Sequence, residues 1–455
     1  MQLPYIQTVN DAKSLLRQTS SSHAKVGITD LDGILRGKYM AREKLISALE
    51  KGFGFCDVIL GWDSNDQLYD NSSYTGWHTG YPDALVYPIP ETCRRIPWEN
   101  EMPFFLSEFS GKARELCPRN ILKCVIERAK NMGIYAQAAA EYEFFLFNET
   151  PETVRAKNYT NLTPFTPGNF GYSIIRNSAE SEFHNDFLTM CETMNFPLEG
   201  YHTETGPGVI EAAIGVDEIL SAADKAILFK TFAKIFAQRK DLMATFMAKW
   251  SMDYPGQSGH IHISLKNERG EYVFYDPTKP DAMSDTMRWF LGGQQMLMPD
   301  LMAMVAPTIN SYCRLIPGYW APVDNSWGID NRTSSLRVIL GSSSTQRIEY
   351  RLGSADANPY LAMAAAFGSG LWGIENKIEP TSSVTGNSYE DSRSSPSKLP
   401  YNLSDAAKRL RSSATAKTLF GDTFIEHFAS TREWEDIEYR RQVTDWQLQR
   451  YFEII

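Results

Sequence analysis

Three short segments of this 455-residue chain carry charged or imidazole side chains at every second position. They are residues 141–143 (Glu-Tyr-Glu), 260–264 (His-Ile-His-Ile-Ser) and 347–351 (Arg-Ile-Glu-Tyr-Arg). Alternate residues of a β-strand share a face, so each segment, if extended, directs its polar side chains one way and its apolar ones into packing. Together these polar faces would line one cavity with carboxylates, imidazoles and guanidinium groups. Such a surface suits divalent cations and phosphate.

The composition predicts a large protein of two domains without a broad basic surface. Hydrophobic residues make up 43% of the chain and charged residues 22%, which is ample for a buried core. The net charge of −10 and the pI near 5.4 argue against nucleic acid and anionic membranes as partners, so any phosphate site must be local. The six cysteines form no Cys-x-x-Cys pair, and we find neither a signal-peptide core nor a long apolar run. We therefore expect a reduced, cytoplasmic protein.

The first part of the chain is predicted to be a small β-rich domain, residues 1–112. Short apolar runs at 25–29, 55–60 and 84–88 alternate with Gly, Asp and Asn turns, and helical stripes are few. The character changes a few residues later, where an apolar helical pattern begins. This change sets the predicted domain boundary between residues 108 and 116.

The second predicted domain, residues 113–455, mixes strands with long helices, so the fold class is α+β. Pro118 opens a helical stripe that stops at Gly133. Further strands are predicted at 134–147, 260–265 and 347–352, and helices at 217–247, 284–304, 358–377 and 403–455. The stretch 379–400, rich in Ser, Pro, Asn and Asp, is predicted to be a surface loop.

Two glutamates, Glu141 and Glu143, directly precede the apolar run 144–147, which places their strand in the interior. Two carboxylates on one buried strand face repel each other and lose hydration unless a cation compensates them. A divalent metal ion is the expected partner. The alternative is an edge strand with solvated glutamates, and the pair alone does not decide between the two.

The segment 202–211 supplies two more carboxylates, Glu204 and Glu211, around a Gly-Pro-Gly turn. The turn can bring them close in space, although most such turns are only turns. His260 and His262 share a strand face and are possible metal ligands. Core hydrogen bonding is the simpler interpretation of the two histidines taken alone.

Arginines concentrate between residues 314 and 351, at Arg314, Arg332, Arg337, Arg347 and Arg351. Guanidinium groups bind phosphate and carboxylate oxygens in bidentate fashion, and apolar neighbours indicate that these arginines do not lie on a solvated face. Structural salt bridges are the alternative. Carboxylate, imidazole and arginine clusters with strand spacing rarely coincide by chance, and the combination favours a binding site.

The chain resembles the type I glutamine synthetases over nearly its whole length. The likeness is carried by specific motifs: Glu-Tyr-Glu-Phe-Phe-Leu-Phe at 141–147, Gly206-Pro207-Gly208 with Glu211, His-Ile-His-Ile-Ser-Leu at 260–265, the run 310–319, Asn331-Arg332, and Arg-Ile-Glu-Tyr-Arg at 347–351 followed by Asn358-Pro359-Tyr360. The resemblance implies a small N-terminal β-grasp domain and a large catalytic domain with an antiparallel barrel-like sheet and helices. It also implies a homo-oligomer, usually a dodecamer of two hexameric rings, in which the N-terminal domain completes the neighbouring subunit's active site.

The resemblance further implies two sites for Mg²⁺ or Mn²⁺ and a site for ATP. One ion would be held by Glu143, Glu204 and Glu211, and the other by Glu141, His260 and Glu349. His262 and Ser264 match ATP contacts, while Arg332, Arg337 and Arg347 match positions that neutralise the transferring phosphate and the nucleotide. Arg314 and Arg351 match positions that hold the carboxylates of L-glutamate.

The implied chemistry is consistent with these groups. A carboxylate is a poor acyl donor, so ATP first phosphorylates the γ-carboxylate of glutamate, and an amine then displaces phosphate. Because an alkylammonium has a pKa of about 10.4, the site needs a carboxylate to receive a proton from the amine.

The departures from the family pattern concern the nitrogen acceptor. Glutamine synthetases that use ammonia have a glutamate after the Pro-Gly-Tyr of 317–319, and this chain has Trp320. The Asp-Gly-Ser-Ser ammonium motif is also absent, and the corresponding region, 61–66, reads Gly-Trp-Asp-Ser-Asn-Asp. In pattern the chain is nearest to γ-glutamyl-amine ligases such as γ-glutamylputrescine synthetases. The adenylylation segment of some bacterial enzymes appears as Asn-Leu-Ser-Asp at 402–405, without its tyrosine.

The altered positions suggest an organic amine as the acceptor. Trp320, with Trp62, would contact an alkyl or aryl group and hold a distal ammonium by a cation–π attraction of about 0.5 to 2 kcal/mol. Packing is the alternative role of Trp320. Asp63 is the candidate proton acceptor and Asp66 the second choice, so Asp63, Arg332 and Glu204 are the candidate catalytic residues.

We therefore predict an ATP-dependent ligase that joins the γ-carboxylate of L-glutamate to a primary amine. Ordinary glutamine synthesis with ammonia is the first alternative, and a non-catalytic ring-forming scaffold the second. Without the resemblance, the same residues indicate a two-metal hydrolase, which ATP dependence would distinguish.

Overall fold

The structure, a computed structural model, describes residues 6–390 and 399–455. Helices and two largely antiparallel sheets alternate along the chain, which confirms the α+β class. Residues 1–5 of the predicted first domain and 391–398 of the predicted surface loop lie outside the described residues.

A mixed sheet occupies the N-terminal quarter of the described chain. Its strands are β1 (His23–Thr29), β2 (Leu35–Ala41), β3 (Phe53–Cys56), β4 (Asp83–Pro88), β5 (Arg94–Ile96) and β6 (Met102–Phe109). They run in the order β2-β1-β6-β4-β3 with β5 on β6, and the β1–β6 pair is parallel. Two helices accompany the sheet, α1 (Val9–Gln18) and α2 (Arg42–Lys51).

A second sheet forms the centre of the molecule. Its strands are β7 (Ile134–Phe147), β8 (Leu198–Thr203), β9 (Val209–Ile214), β10 (Asp217–Glu218), β11 (Met243–Thr245), β12 (Gly259–Asn267), β13 (Trp327–Ile329), β14 (Leu336–Ile339) and β15 (Arg347–Tyr350). The order is β13-β14-β15-β12-β7-β9-β8, with β10 and β11 also on β7. All pairs are antiparallel except β13–β14, and all three alternating segments lie on the adjacent strands β7, β12 and β15.

Helices surround this sheet. They are α3 (Pro118–Asn131), α4 (Pro151–Ala156), α5 (Ile174–Ala179), α6 (Ser181–Thr193), α7 (Ile219–Arg239), α8 (Asp285–Val305), α9 (Ile309–Arg314), α10 (Pro359–Asn376), α11 (Leu403–Ser412), α12 (Ala414–Phe420), α13 (Asp422–Arg440) and α14 (Asp445–Tyr451). The helix predicted from Pro118 is confirmed: Pro118 is its first residue, and Gly133 just beyond it has a left-handed φ of 69°. Among the residues described, no helix is both long and apolar enough to cross a membrane.

The two faces of the central strand β7 lie in different environments. Ala138, Ala140, Tyr142 and Phe144 are buried, and the Tyr142 and Phe144 rings lie 6.2 and 6.1 Å from Phe229 of α7. The intervening residues, including Glu141 and Glu143, lie on the opposite face. One face of β7 is thus part of the hydrophobic core, and the other is open to polar chemistry.

The apolar run 55–60 of the N-terminal region is only partly a strand. Phe55 and Cys56 belong to β3, and Asp57–Leu60 is a 3₁₀ turn. The buried Asp57 carboxylate accepts a hydrogen bond from the Thr75 hydroxyl at 2.7 Å, which helps to hold this turn. Helix α1 precedes the sheet, and a capping box between Thr8 and Asp11 marks its start.

The boundary at residue 112 stays a prediction, since residues from both sheets belong to one hydrophobic core cluster. The described part of 379–400 is irregular, as predicted. It is not all at the surface, because Val384 is buried and its amide donates to the Trp327 carbonyl at 2.8 Å.

A buried histidine connects the N-terminal region to helix α13. His427 lies 2.7 Å through Nε2 from the Leu60 carbonyl oxygen. Burial, which outweighs the effect of the Leu60 hydrogen bond, lowers the pKa of His427 from 6.5 to about 4. The folded chain therefore keeps this imidazole neutral at pH values where an unfolded chain protonates it.

We expect this histidine to make folding weaker in acid. Between pH 6.5 and 4 the unfolded chain binds the extra proton, so the free energy of unfolding falls by about 1.4 kcal/mol per pH unit as the pH drops through this window. Urea unfolding at pH 7 and pH 5 would show a loss about 2 kcal/mol larger in the native chain than in His427→Gln. An exposed-site control, His23→Gln, should behave like the native chain. Equal losses in native and His427→Gln would contradict this assignment.

Candidate active site

A cavity of about 520 Å³ lies against the polar face of the central sheet. It is lined by all six of the predicted metal ligands, which are Glu141, Glu143, Glu204, Glu211, His260 and Glu349. The structure thus brings together side chains that are spread over more than two hundred positions of the sequence.

The first group of ligands is built by strand register. His260 is paired with Glu141 across β12 and β7, and His262 with Glu349 across β12 and β15. His260 Nδ1 lies 3.0 Å from a Glu141 oxygen and 3.3 Å from a Glu349 oxygen. Ligand atoms of Glu141, His262 and Glu349 also lie within 4.8 Å of one another. Glu141, His260 and Glu349 therefore meet at the cavity wall, with His262 beside them outside the cavity lining.

The second group forms around the Gly-Pro-Gly turn between β8 and β9. The Glu204 amide bonds the Val209 carbonyl at 3.0 Å, which closes the turn, and Glu204 and Glu211 both face His202. The predicted proximity of the two glutamates is confirmed. One ligand atom from each of His202, Glu204 and Glu211 fits within 4.8 Å.

Sequence analysis missed His202 as part of this group. The signal was present, because His202 and Glu204 are two positions apart and β8 is extended up to Thr203. The expected third ligand, Glu143, is opposite Glu211 in the strand pairing, but one of its oxygens accepts the Ser258 amide at 2.7 Å.

The carboxylates of the cavity repel one another, and a bound cation would relieve this repulsion. Burial, together with repulsion from Glu141, Glu143, Glu204 and Glu349, raises the pKa of Glu211 to about 9. Burial also opposes ionisation of Glu349, but Arg351 and the two histidines of β12 outweigh it and lower the pKa to about 2. Hard oxygen donors in this number, with imidazole nitrogens beside them, fit Mg²⁺ or Mn²⁺.

Four of the five predicted arginines line the same cavity: Arg314, Arg332, Arg337 and Arg351. Arg314 is buried and donates to the carbonyls of Leu352 and Arg351 at 3.1 and 3.0 Å. Burial lowers the pKa of Arg314 to about 10, so it remains a cation at neutral pH. Its fixed guanidinium is suited to a carboxylate ligand.

Glu349 forms hydrogen bonds with two of the cavity arginines. It accepts from Arg337 Nη1 at 2.9 Å and from Arg351 Nη1, and it is 1% exposed. Arg337 is also held by Asp330 at 2.9 Å through Nε. Arg332, in contrast, is exposed at the rim.

The remaining nucleotide candidates lie further along the sheet. Arg347 Nε donates to His262 Nδ1 at 3.3 Å, so the two side chains meet across β15 and β12. Ser264 follows His262 on the same face of β12. His262, Ser264 and Arg347 do not line the 520 Å³ cavity described above.

The structure places the candidate residues of the amine site in two different regions. Trp320 lines the cavity, is 54% exposed, and has a left-handed backbone with φ of 54°. Asp63 and Trp62 do not line the cavity of their own chain. One Asp63 oxygen accepts the amides of Asn65 and Gln67 at 2.8 Å, and Arg36 bonds Asp66 at 2.6 Å.

Some lining residues were assigned no role from the sequence. Tyr172, Thr205, Gln257 and Ser258 are among them, and Tyr319 of the 310–319 motif also lines the cavity. Tyr172 lies in an irregular segment, and its ring packs edge-on against His202 with the centroids 4.3 Å apart. Non-periodic segments of this kind give no pattern from which a position could be inferred.

Comparison with known proteins adds to this geometry. The family model of the glutamine synthetase catalytic domain matches residues 115–451. The chain is 44% identical to type-1 glutamine synthetase 2 of Dictyostelium discoideum, over 97% of this chain and 85% of that protein. It is 37% identical to a glutamate–isopropylamine ligase of Pseudomonas sp, over 95% of each chain.

A solved structure is also similar. The GmaS/ADP complex in its conformation 1 superposes with a TM-score of 0.84 at 26% identity, over 97% of this chain and 99% of that one. The superposition therefore extends over both sheets.

Proposed function

The chain belongs to the glutamine synthetase family, and from this premise we propose that it joins the γ-carboxylate of L-glutamate to an organic primary amine. It is a carbon–nitrogen ligase that depends on ATP. The observation that carries the choice of acceptor is Trp320, which lines the cavity where ammonia-using members have a glutamate. The resemblance to a glutamate–isopropylamine ligase supports the same choice.

The proposed reaction has two steps. A γ-carboxylate oxygen of glutamate attacks the terminal phosphorus of ATP, and ADP leaves, which gives γ-glutamyl phosphate. The amine nitrogen then attacks the acyl carbon, inorganic phosphate leaves, and the amine proton passes to a carboxylate. Divalent ions, when bound, neutralise charge on the phosphates.

We assign the metal ligands as two sets. Glu143, Glu204 and Glu211 hold one ion, and Glu141, His260 and Glu349 hold the other. The carboxylates of the first set support this assignment through their mutual repulsion, since Glu211 cannot share the cavity with four other carboxylates as anions without a cation.

The arginines bind the anionic groups. Arg314 and Arg351 hold the carboxylates of glutamate, and the buried position of Arg314 supports a directional contact. Arg332 and Arg337, which line the cavity together with Glu204, neutralise the transferring phosphoryl group. His262, Ser264 and Arg347 contact the nucleotide.

The acceptor site requires a second copy of the chain. Trp320 supplies an aromatic wall for the amine, and Asp63, with Asp66 as the second choice, receives the proton. Because Asp63 and Trp62 do not line the cavity of their own chain, we assign them to the cavity of a neighbouring copy.

The oligomer is proposed to be a dodecamer of two hexameric rings. The C-terminal segment supports association, since Trp446, Phe452, Ile454 and Ile455 are exposed and apolar. Deletion of residues 442–455 is expected to reduce the particle mass measured by light scattering to that of a smaller assembly. Unchanged mass after this deletion would show that the segment does not join subunits.

The direct test is phosphate release from ATP by purified protein with Mg²⁺ and L-glutamate. Ammonia is compared with isopropylamine, ethanolamine, putrescine and an aryl amine, each at saturating and limiting concentration. We expect kcat/KM for at least one organic amine to exceed that for ammonia by about tenfold or more. Preference for ammonia would instead establish glutamine synthesis, which the similarity to type-1 glutamine synthetase 2 favours. Absence of turnover with every acceptor would favour the scaffold.

A further inference from the structure

The cation site near the Gly-Pro-Gly turn contains one group that the family pattern does not assign. We propose that His202 is a nitrogen ligand of the divalent ion held by Glu204 and Glu211, and that it favours transition-metal ions over Mg²⁺ at this position. The inference rests on the proposed function only in that the cavity binds divalent cations.

The distances place His202 among the ligands. Its Nε2 lies 3.4 Å from Glu211 Oε1 and 3.9 Å from Glu204 Oε2. Donor atoms about 2.0 to 2.6 Å from one ion are themselves about 3 to 4 Å apart, so this spacing surrounds an ion without backbone movement. The other Glu204 oxygen accepts the Thr205 amide at 2.7 Å, which leaves Oε2 to face His202.

The imidazole is held in the orientation that a ligand requires. The Tyr172 ring stands perpendicular to it at 4.3 Å, and Tyr172 and Thr203 are joined by a backbone hydrogen bond of 2.7 Å. His202 Nδ1 is buried and has no hydrogen-bond partner in the described part of the chain. No donor therefore forces Nδ1 to be the acceptor, and the proton can reside there while the Nε2 lone pair faces the ion.

The ligand chemistry sets the metal preference. Mg²⁺ is hard, prefers oxygen donors and keeps several of its waters, whereas imidazole is a better ligand for first-row transition metals. One nitrogen among two carboxylates therefore strengthens binding of Mn²⁺ and Co²⁺ more than binding of Mg²⁺. Glu143 accepts the Ser258 amide through one oxygen only, so its other oxygen can still bind the same ion together with Glu204 and Glu211.

The test is metal binding without ATP or glutamate. Isothermal titration of the metal-stripped oligomer with CoCl₂ and with MgCl₂ gives both affinities, and the visible spectrum of bound Co²⁺ reports nitrogen coordination. In His202→Gln we expect the affinity for Co²⁺ at one class of sites to fall by about 10- to 100-fold, while the affinity for Mg²⁺ changes less than about threefold. The visible absorption band of bound Co²⁺ should also shift. His184→Gln, a buried histidine bonded to Tyr201 outside the cavity, is the matched control and should change neither affinity.

A second variant keeps the proposal testable if His202→Gln is unstable. His202→Asp retains a ligand but changes nitrogen to oxygen, so it should bind Mg²⁺ at least as well as the native chain and lose the Co²⁺ preference. Equal changes for both metals, or no change, would overturn the assignment of His202 while leaving the ligase proposal intact. Failure of the native protein to bind either metal would remove the cation site on which the proposed function also depends.

Discussion

Replacing Glu349 with glutamine is expected to lower kcat/KM for ATP-dependent phosphate release by about 10³-fold. The carboxylate is buried and accepts hydrogen bonds from Arg337 and Arg351, and it lies 3.3 Å from His260. Its pKa of about 2 means that it is an anion at every working pH. Glutamine would remove a proposed metal ligand and leave Arg337 and Arg351 facing a neutral amide, and a 10³-fold loss corresponds to about 4 kcal/mol of transition-state stabilisation.

The Glu349→Gln substitution should lower the catalytic activity much more than the stability of the fold. Glutamine keeps the shape of the side chain, so we expect the thermal midpoint and the particle mass to stay close to those of the native protein. Raising the Mn²⁺ concentration should restore part of the activity, because the carboxylate is a proposed metal ligand. Glu375→Gln, which removes an ion pair with Arg128 between helices α3 and α10, is the control and should retain full activity. Activity above one-tenth of the native value in Glu349→Gln would contradict the role assigned to Glu349.

Replacing Trp320 with glutamate is expected to shift the preferred acceptor from an organic amine towards ammonia. The ring lines the cavity and is partly open to solvent, so it can contact an alkyl or aryl group of an amine. Losing the aromatic wall and gaining a carboxylate should lower the ratio of kcat/KM for the best organic amine to that for ammonia by about 10- to 100-fold. The measurement is the competition of each amine with ammonia under limiting concentrations, with products separated by mass.

Two further variants distinguish the contribution of the Trp320 ring from that of its left-handed backbone conformation. Trp320 has a left-handed backbone, which is uncommon for a bulky side chain, and asparagine tolerates this conformation better than most residues. Trp320→Phe should keep the preference for organic amines, and Trp320→Asn should lose it while the fold is unaffected. An unchanged preference in both Trp320→Glu and Trp320→Asn would remove Trp320 from the account of specificity.

Much of the cavity could be predicted because it is built from regular strands. The period of two placed Glu141 with Glu143, His260 with His262, and Arg347 with Glu349 and Arg351 on shared faces, and antiparallel pairing of neighbouring strands brought the faces together. The same period would have identified His202 beside Glu204.

What could not be predicted depends on contacts between distant segments. The position of Asp63 follows from a tight loop that its own carboxylate closes and from a hydrogen bond that Arg36 donates to its carbonyl. Neither contact leaves a periodic pattern in the sequence. Tyr172 reaches the cavity from an irregular segment whose path is fixed by a hydrogen bond to Thr203. The 3₁₀ turn at Asp57 likewise depends on Thr75, a residue eighteen positions away.

The two-faced strand β7 limits how this enzyme can change over evolution. Tyr142 and Phe144 pack against α7 while Glu141 and Glu143 face the cavity, so a one-residue insertion or deletion upstream within the strand exchanges the two sets. Both the core and the ligand set would then be lost in a single event. A substitution at a single lining position, such as 320, leaves both faces of β7 in place, whereas a change in the length of β7 does not.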